Sequence, residues 1–212
     1  MTVPIGARYH PAIVAQAAAT IDNMYPGRLI LGVGSGEAVN ERPFWNGRWP
    51  KWRERIGRLV EGVRLMRMLW DSKEPFRFDG KYFTADFYYS YTKPRKRIPI
   101  YFSAIGRRAA RLAGECGDGL VTICPRNDIL TMREVILPAY REGRLKAGTK
   151  SLGEVAIELK FSFKSPEDII RTEWRSLGIC RKDSWSIPNP VAVEEEGKKV
   201  SVHNVRRNIH LC

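Results

Sequence analysis

The sequence predicts an α/β protein built on a parallel β-sheet. Short apolar runs of strand length alternate with longer segments whose apolar residues recur at helical spacing. The run 119–124 is almost continuously apolar, which is typical of a strand buried on both faces of a parallel sheet. Because segments of ten or more residues separate such runs, we expect βαβ units.

Two helices and one buried strand are expected in the first third of the chain. Apolar residues recur at helical spacing over 11–24, and Pro26-Gly27 ends this helix. A short apolar strand follows at 28–33. A polar loop then leads to the clearest helix, 52–70, whose apolar residues lie on one stripe.

The middle of the chain is expected to contain a hairpin, a strand and a helix. Asp79-Gly80 is a strong turn signal and predicts a small hairpin over 76–87. A strand is predicted over 98–103. The helix predicted over 107–116 ends at Gly117, a common C-terminal stop.

The last third begins with regular signals that fade toward the end of the chain. Ser165 is a favourable helix start because Pro166 and two acids follow it. Beyond Trp174 the pattern becomes indistinct. The elements expected in this third are strands over 119–124, 155–163 and 208–212, and helices over about 128–146 and from Ser201.

About five parallel strands are expected in total. A complete (β/α)8 TIM barrel has eight strands and typically ~250 residues. We therefore expect an α/β fold of the incomplete (β/α)8 type, with residues 1–212 forming one partial barrel domain. The N-terminal barrel strands and the C-terminal end are expected to be missing, and the chain is expected to open on a loop that leads into the first helix.

The charge balance is strongly basic, at +13 for 212 residues. Such a balance is compatible with nucleic acid, an anionic membrane or an acidic ligand. The basic residues are scattered, however, and the one run, 93–97, is expected to be a solvated surface turn. We expect a small-molecule substrate, with no nucleic-acid or membrane partner; a homodimer is one option for the assembly.

The sequence carries no secretion or disulfide signal. No apolar run approaches the roughly 20 residues of a membrane span, and the N-terminus does not resemble a signal peptide. The four cysteines form no C-x-x-C pair. A cytoplasmic location is the resulting expectation. His10 and His210 lack partners at metal-ligand spacing, so no metal site is expected.

The strongest local motif is the glycine-rich segment 32–41, directly after a buried strand. Alternate glycines allow a sharp turn and a close approach of a ligand to the backbone. A dinucleotide fingerprint would need a third glycine where Glu37 stands and a helix directly afterwards, whereas Pro43 intervenes. Glu37 is a candidate acid/base, with a solvated loop acid as the alternative.

A second candidate ligand site lies at 103–108. This segment also joins a strand to a helix, where free N–H groups, the helix dipole and two arginines favour an anion. A plain surface turn is the alternative. The segment 124–127 repeats this geometry more weakly.

These segments together resemble the luciferase-like oxidoreductases, in particular the branch that depends on the deazaflavin coenzyme F420. The resemblance covers about residues 2–164 and rests on an ordered set of motifs rather than on one pattern. The motifs are Arg8 to Ala17, Pro26-Gly27-Arg28, Gly32 to Glu41, Trp49 to Arg55, Phe78 to Tyr82, Gly117-Asp118-Gly119 and Leu137 to Gly143.

The resemblance implies a set of site residues. Glu37 would be the catalytic acid/base, and Arg126 would bind the substrate. In this chain Ile105-Gly106 replaces a Gly-Gly pair of the family, and Ile123 replaces a threonine, which removes a hydroxyl group near the substrate. The cofactor-binding residues implied are Ser35, Gly36, Asn40, Ala104, Ile105 and Gly106.

The reaction implied by the resemblance is hydride transfer between a small substrate and coenzyme F420. The substrate would be a sugar phosphate, an alcohol or a pterin-linked one-carbon unit. Two alternatives remain open: an FMN-dependent luciferase-like monooxygenase and a non-catalytic basic module. We expect this chain alone to be inactive, or to be a piece of a longer product.

Overall fold

The computed structural model describes residues 2–6, 8–46, 48–123, 129–149, 151–158, 164–171 and 187–204. The strands are β1 (Thr2–Pro4), β2 (Leu31–Gly34), β3 (Phe76–Asp79), β4 (Thr84–Tyr88), β5 (Ile100–Ser103), β6 (Gly119–Ile123) and β7 (Glu154–Glu158). Five of them form one parallel sheet in the order β1-β2-β5-β6-β7, while β3 and β4 form a separate antiparallel hairpin.

Helices connect the strands of the parallel sheet. Among the described residues, no helix has the length and apolar character needed to span a bilayer. A 3-10 turn occupies Arg42–Trp45, and a π-helical turn at Met132–Ile136 joins the fifth and sixth helices. The helices are α1 (Pro11–Met24), α2 (Ala38–Glu41), α3 (Trp52–Asp71), α4 (Arg107–Cys116), α5 (Ile129–Thr131), α6 (Leu137–Lys146), α7 (Pro166–Ile170) and α8 (Pro190–Lys198).

The parallel α/β fold is confirmed, and the described sheet contains one strand, β1, that the sequence did not predict. The chain opens on β1 rather than on a loop, so that expectation was wrong. β1 has three residues and includes Pro4, which is too short for a periodic pattern, and pairing of Val3 with Val33 of β2 defines it as a strand. The strand predicted at 208–212 lies outside the described residues.

The long helices agree closely with the sequence prediction, while two helices were missed. α1 and α4 have the expected bounds, and α3 ends one residue later than expected. α2 is a single turn, too short for helical periodicity. α8 had a readable signal, because Asn189 accepts a hydrogen bond from the N–H of Ala192 at 2.9 Å and Pro190 follows it.

The core lies between the sheet and the helices that cover it. α1 and α3 pack against each other, and the indole Nε1 of Trp70 donates to the carbonyl oxygen of Ala15 at 3.0 Å. The stripe predicted on α3 is buried at Leu59, Val63 and Met66. Burial of such side chains is the main favourable contribution to the fold.

A single carboxylate fastens the hairpin to α3. Glu61 accepts hydrogen bonds from the backbone N–H groups of Lys81, Tyr82 and Phe83, at 2.9, 2.7 and 2.7 Å. These donors lie in the turn that Asp79-Gly80 begins. The hairpin is therefore positioned by α3 as well as by its own strand pairing.

The basic run 93–97 takes part in intramolecular contacts. Lys93 Nζ donates to the carbonyl oxygen of Leu69 at 2.6 Å, and Arg97 forms an ion pair of 2.6 Å with Asp118. The backbone N–H of Lys96 donates to the buried carboxylate of Asp22 at 2.8 Å. These contacts anchor the run to the fold.

Candidate active site

The parallel sheet brings the two loops singled out in the sequence to one edge. β2 and β5 are neighbours, with Val33 paired to Phe102, so the segments that follow them leave the sheet side by side. A Cβ atom added to Gly34 would lie 3.5 Å from the Cβ of Ser103. Ligands of α/β proteins bind at this carboxyl edge of the strands.

Gly36 determines the path of the first loop. Its φ angle is +73°, a conformation that side chains rarely adopt. A Cβ atom at this position would lie 2.6 Å from Cγ of Glu41 and 3.4 Å from Cβ of Pro4. Both the backbone conformation and the lack of space therefore require glycine here.

The predicted polar residues of this loop lie at an accessible edge. Glu37 is exposed and is the N-cap residue of α2, so a short helix does follow the glycines, contrary to expectation. Its carbonyl oxygen accepts the N–H groups of Asn40 at 3.2 Å and Glu41 at 2.9 Å. Ser35 is half-buried and Asn40 is exposed. Glu37 and Asn40 are thus open to solvent at this edge, and Ser35 is partly so.

The second loop, 104–106, leads into α4. The N–H of Ala104 donates to the carbonyl oxygen of Val121 at 3.0 Å, so it is not available to a ligand. In the described part of the chain, no acceptor pairs with the N–H groups of Ile105 and Gly106. Gly106 is the N-cap of α4 and supplies no side-chain cap; apart from its chain neighbours, no atom of the described residues lies within 4 Å of the position of its Cβ.

The second loop therefore has the properties of an anion site. Two backbone donors without a partner in the described part of the chain precede the first turn of a ten-residue helix. Arg107 and Arg108 are exposed at the same helix end. Ile105 is itself 39% exposed.

Sequence reasoning missed Glu41 as part of this region. Its carboxylate is buried, at 3% exposure, and Oε1 lies 2.7 Å from Nη2 of Arg8. No well-aligned hydrogen-bond donor among the described residues reaches Oε1, so the attraction is mainly Coulombic. Burial raises the pKa of Glu41, and the charge of Arg8 opposes that rise. The sequence pattern did not single out Glu41, because its burial depends on β1, a strand that the sequence pattern did not predict.

Aromatic rings surround the cations beside this edge. The guanidinium of Arg8 lies 4.8 Å from the ring centre of Tyr9 and 5.5 Å from that of Phe44. Arg58 of α3 lies 4.8 Å from the ring of Trp45 and 4.9 Å from that of Tyr82. Such contacts hold guanidinium groups in place in addition to their ion pairs.

The remaining predicted residue, Arg126, lies outside the described residues. The strand that precedes it, β6, ends at Ile123 on the same sheet edge as the two loops.

Comparison with known proteins identifies the family. The profile of the luciferase-like monooxygenase family matches residues 1–175. The chain is 37% identical over 205 residues to the F420-dependent glucose-6-phosphate dehydrogenase of Segniliparus rotundus, covering 94% of this chain and 60% of that protein. It is 38% identical over 206 residues to the protein of the same name from Rhodococcus erythropolis, with the same coverage.

A solved structure agrees with this assignment. An F420-dependent secondary alcohol dehydrogenase in complex with an F420-acetone adduct has a TM-score of 0.84 and 36% identity, covering 98% of this chain and 63% of that one. The chain thus spans about 60% of the length of the curated relatives it matches. The family profile and the shared architecture show that the chain belongs to the luciferase-like monooxygenase family.

Proposed function

We propose that this chain forms part of an oxidoreductase that transfers a hydride between a small alcohol and coenzyme F420. The observation that carries the proposal is the adjacency of the 35–40 loop and the 105–106 backbone donors at the carboxyl edge of the sheet. The names of the similar proteins, which are F420-dependent dehydrogenases, support the choice of cofactor.

The residues at this edge fit such a cofactor. Coenzyme F420 carries a phosphate and a glutamate tail, both anionic. The N–H groups of Ile105 and Gly106 would hold the phosphate, with Arg107 and Arg108 nearby. With respect to the described residues, the space at the Cβ position of Gly106 is open and would leave room for a phosphate. The net charge of +13 favours an anionic ligand.

The chain's own side chains would provide orientation and proton transfer. When bound, the deazaflavin supplies the hydride-accepting centre for the reaction. Glu37 would take the hydroxyl proton as the carbinol carbon of the substrate loses its hydride, so that a C–OH group becomes a carbonyl group. Ser35 and Asn40 would orient the ring and the substrate beside Glu37.

The substrate class is an alcohol, with sugar phosphates included. The similar proteins act, by their names, on glucose 6-phosphate and on a secondary alcohol. Both substrates present a carbon that bears hydrogen and hydroxyl, and this is the group that Glu37 would deprotonate. Arg126 would contact the phosphate of a sugar phosphate.

The test is a fluorescence titration of the purified chain with coenzyme F420 and, separately, with FMN. Saturable binding of F420 with weak or absent FMN binding is the expected result. Preferential FMN binding would instead favour the monooxygenase alternative. If neither the wild-type chain nor the Glu37→Gln variant bound F420 or FMN, the result would contradict an F420 site in this chain.

A further inference from the structure

Arg8 and Glu41 connect two strand ends that belong to the proposed site. Arg8 follows β1, and Glu41 ends the helical turn that follows β2. The N–H of Ile5 donates to the carbonyl oxygen of Gly34 at 3.0 Å, so the two strands run together up to the start of the loop. Beyond that hydrogen bond, the 2.7 Å ion pair continues the connection.

The side chain of Glu41 also lies against the glycine loop. Its Cγ atom would be 2.6 Å from a Cβ on Gly36, so the methylene groups of Glu41 fill the space behind that residue. The backbone N–H of Glu41 donates to the carbonyl oxygen of Glu37. Glu41 therefore contacts the loop through its side chain at Gly36 and through its backbone at Glu37.

The charge of Arg8 determines where the carboxylate of Glu41 sits. A buried carboxylate is costly unless a cation compensates it, so Glu41 must face Arg8. Arg8 in turn lies between the rings of Tyr9 and Phe44 and is about two-thirds covered, with 32% of its side chain exposed. The ion pair and the two ring contacts together restrict the position of the Arg8 guanidinium, and Glu41 links that group to the loop at Gly36.

We propose that Arg8 and Glu41 are a positioning pair, which holds the 35–37 loop in the conformation that binds the deazaflavin ring and aims Glu37 at the substrate. This proposal rests on the proposed function. Neither residue is a catalytic residue, because Glu41 is buried behind the loop and Arg8 is engaged with it.

The first experiment compares Glu41→Gln with Glu54→Gln. Glu54 is the control, since it also forms an ion pair, with Arg48 at 3.0 Å, but is not among the nearest neighbours of the Gly36 Cβ position. Glu41→Gln is expected to raise the Kd for F420 roughly 10- to 100-fold, a range typical of misplaced binding groups. Glu54→Gln is expected to leave the Kd unchanged. Equal Kd values for the two variants would overturn the proposal.

A double variant separates positioning from simple stabilisation. Replacing both members of a buried ion pair by apolar side chains is often neutral for stability. Arg8→Met/Glu41→Met is therefore expected to regain the wild-type melting temperature while its Kd for F420 stays weak. Recovery of Kd together with the melting temperature would show that the pair only stabilises the fold.

Hydrogen exchange of the ligand-free chain provides a readout that does not depend on the cofactor. Glu41→Gln is expected to speed amide exchange at 35–41, while exchange in the α3 core around Val63 stays slow. If the wild-type chain bound no F420, the proposed function would fail and this measurement would still decide whether the pair holds the loop. Unchanged exchange at 35–41 would refute the positioning role.

Discussion

Asp22 and Glu41 are both buried carboxylates, yet their surroundings shift their pKa values in opposite directions. Burial acts to raise the pKa of Asp22, but N–H donors from Gly27, Lys96 and Arg95 together with the charge of Arg95 outweigh it, and the pKa is lowered. For Glu41, burial outweighs the opposing charge of Arg8, and the pKa is raised. Backbone N–H donors thus lower the pKa of Asp22, whereas Glu41 has few such donors and its pKa is raised by burial.

The first prediction concerns Asp22→Asn. Both carboxylate oxygens accept N–H groups at 2.8 Å, whereas an asparagine would direct its NH2 group at one of those donors. We expect a loss of about 2 kcal/mol in the free energy of unfolding at neutral pH. Urea unfolding measures the loss, and Asp86→Asn is the control, because Asp86 forms an ion pair with Arg77 in which both side chains are highly exposed.

The pH dependence of this variant follows from the lowered pKa. Because the pKa of Asp22 is lowered in the folded state, its carboxylate stabilises the fold at pH values above the unfolded pKa of about 3.9. This stabilisation is lost as the pH falls through the pKa of the folded state. The stability difference between wild type and Asp22→Asn should therefore narrow below pH ~4. A constant difference across that range would show that Asp22 titrates normally.

The pH dependence expected from Glu41 has the opposite sign. Because its pKa is raised in the folded state, Glu41 favours folding as the pH falls.

The second prediction concerns Gly36→Ala. Its matched control is Gly148→Ala, because Gly148 has a similar φ angle of +71°, while no atom of the described residues beyond its chain neighbours lies within 4 Å of the position of its Cβ. Both variants incur backbone strain of about 1 kcal/mol, and only Gly36→Ala must also displace Glu41. We expect Gly36→Ala to weaken F420 binding and Gly148→Ala to leave it unchanged, as measured by fluorescence titration. Equal effects would mean that strain alone is responsible.

At the scale of secondary-structure elements, α4 and α6 pack through glycines. A Cβ on Gly143 would collide with the carbonyl oxygen of Arg111, and one on Gly114 would collide with that of Tyr140. Arg144 of α6 donates from Nη1 to the carbonyl oxygen of Gly117 at 2.8 Å. Because α4 begins at the proposed anion site, its contact with α6 fixes the direction in which that helix end points.

The third prediction tests this contact with Gly143→Ala. Alanine would favour an isolated helix by about 1 kcal/mol, so a net loss of stability must come from the collision with backbone. We expect a net loss of about 2 kcal/mol in unfolding experiments. Glu142→Ala, on the exposed side of the same helix, should change stability by less than about 0.5 kcal/mol. A stabilising Gly143→Ala would contradict the close packing.

At the scale of the whole molecule, the basic residues behind the net charge of +13 have different surroundings. Lys93 and Arg97 of the basic run make intramolecular contacts, whereas Arg107 and Arg108 are exposed beside the 105–106 donors. We interpret the second pair as the cations that attract an anionic ligand to the sheet edge.

The fourth prediction is that Arg107→Gln/Arg108→Gln weakens F420 binding roughly fivefold, since two exposed charge interactions contribute up to about 1 kcal/mol each. Added salt should reduce the difference from wild type, because exposed charges are screened within about 10 Å at 0.1 M salt. Arg133→Gln is the control for charge alone, as Arg133 is exposed and pairs with Glu134. If all three charges proved equivalent, the ligand would respond to net charge rather than to a local site.

The sequence by itself determined the elements whose signals are local. Apolar periodicity and end signals were sufficient for α1, α3 and α4, and continuous apolar runs were sufficient for β2 and β6. The position of the candidate loops also followed from the sequence, because parallel strands end at one edge of a sheet.

Only the tertiary structure decided the properties that depend on distant residues. β1 is a strand because β2 pairs with it, and the buried carboxylate of Glu41 pairs with Arg8, which is 33 positions away in the sequence. The N–H of Ala104 is engaged because β6 lies beside β5, which leaves Ile105 and Gly106 as the donors. Hydrogen-bond partners, burial and the pKa of a carboxyl group are set by neighbours in space, and spacing along the chain carries no signal for them.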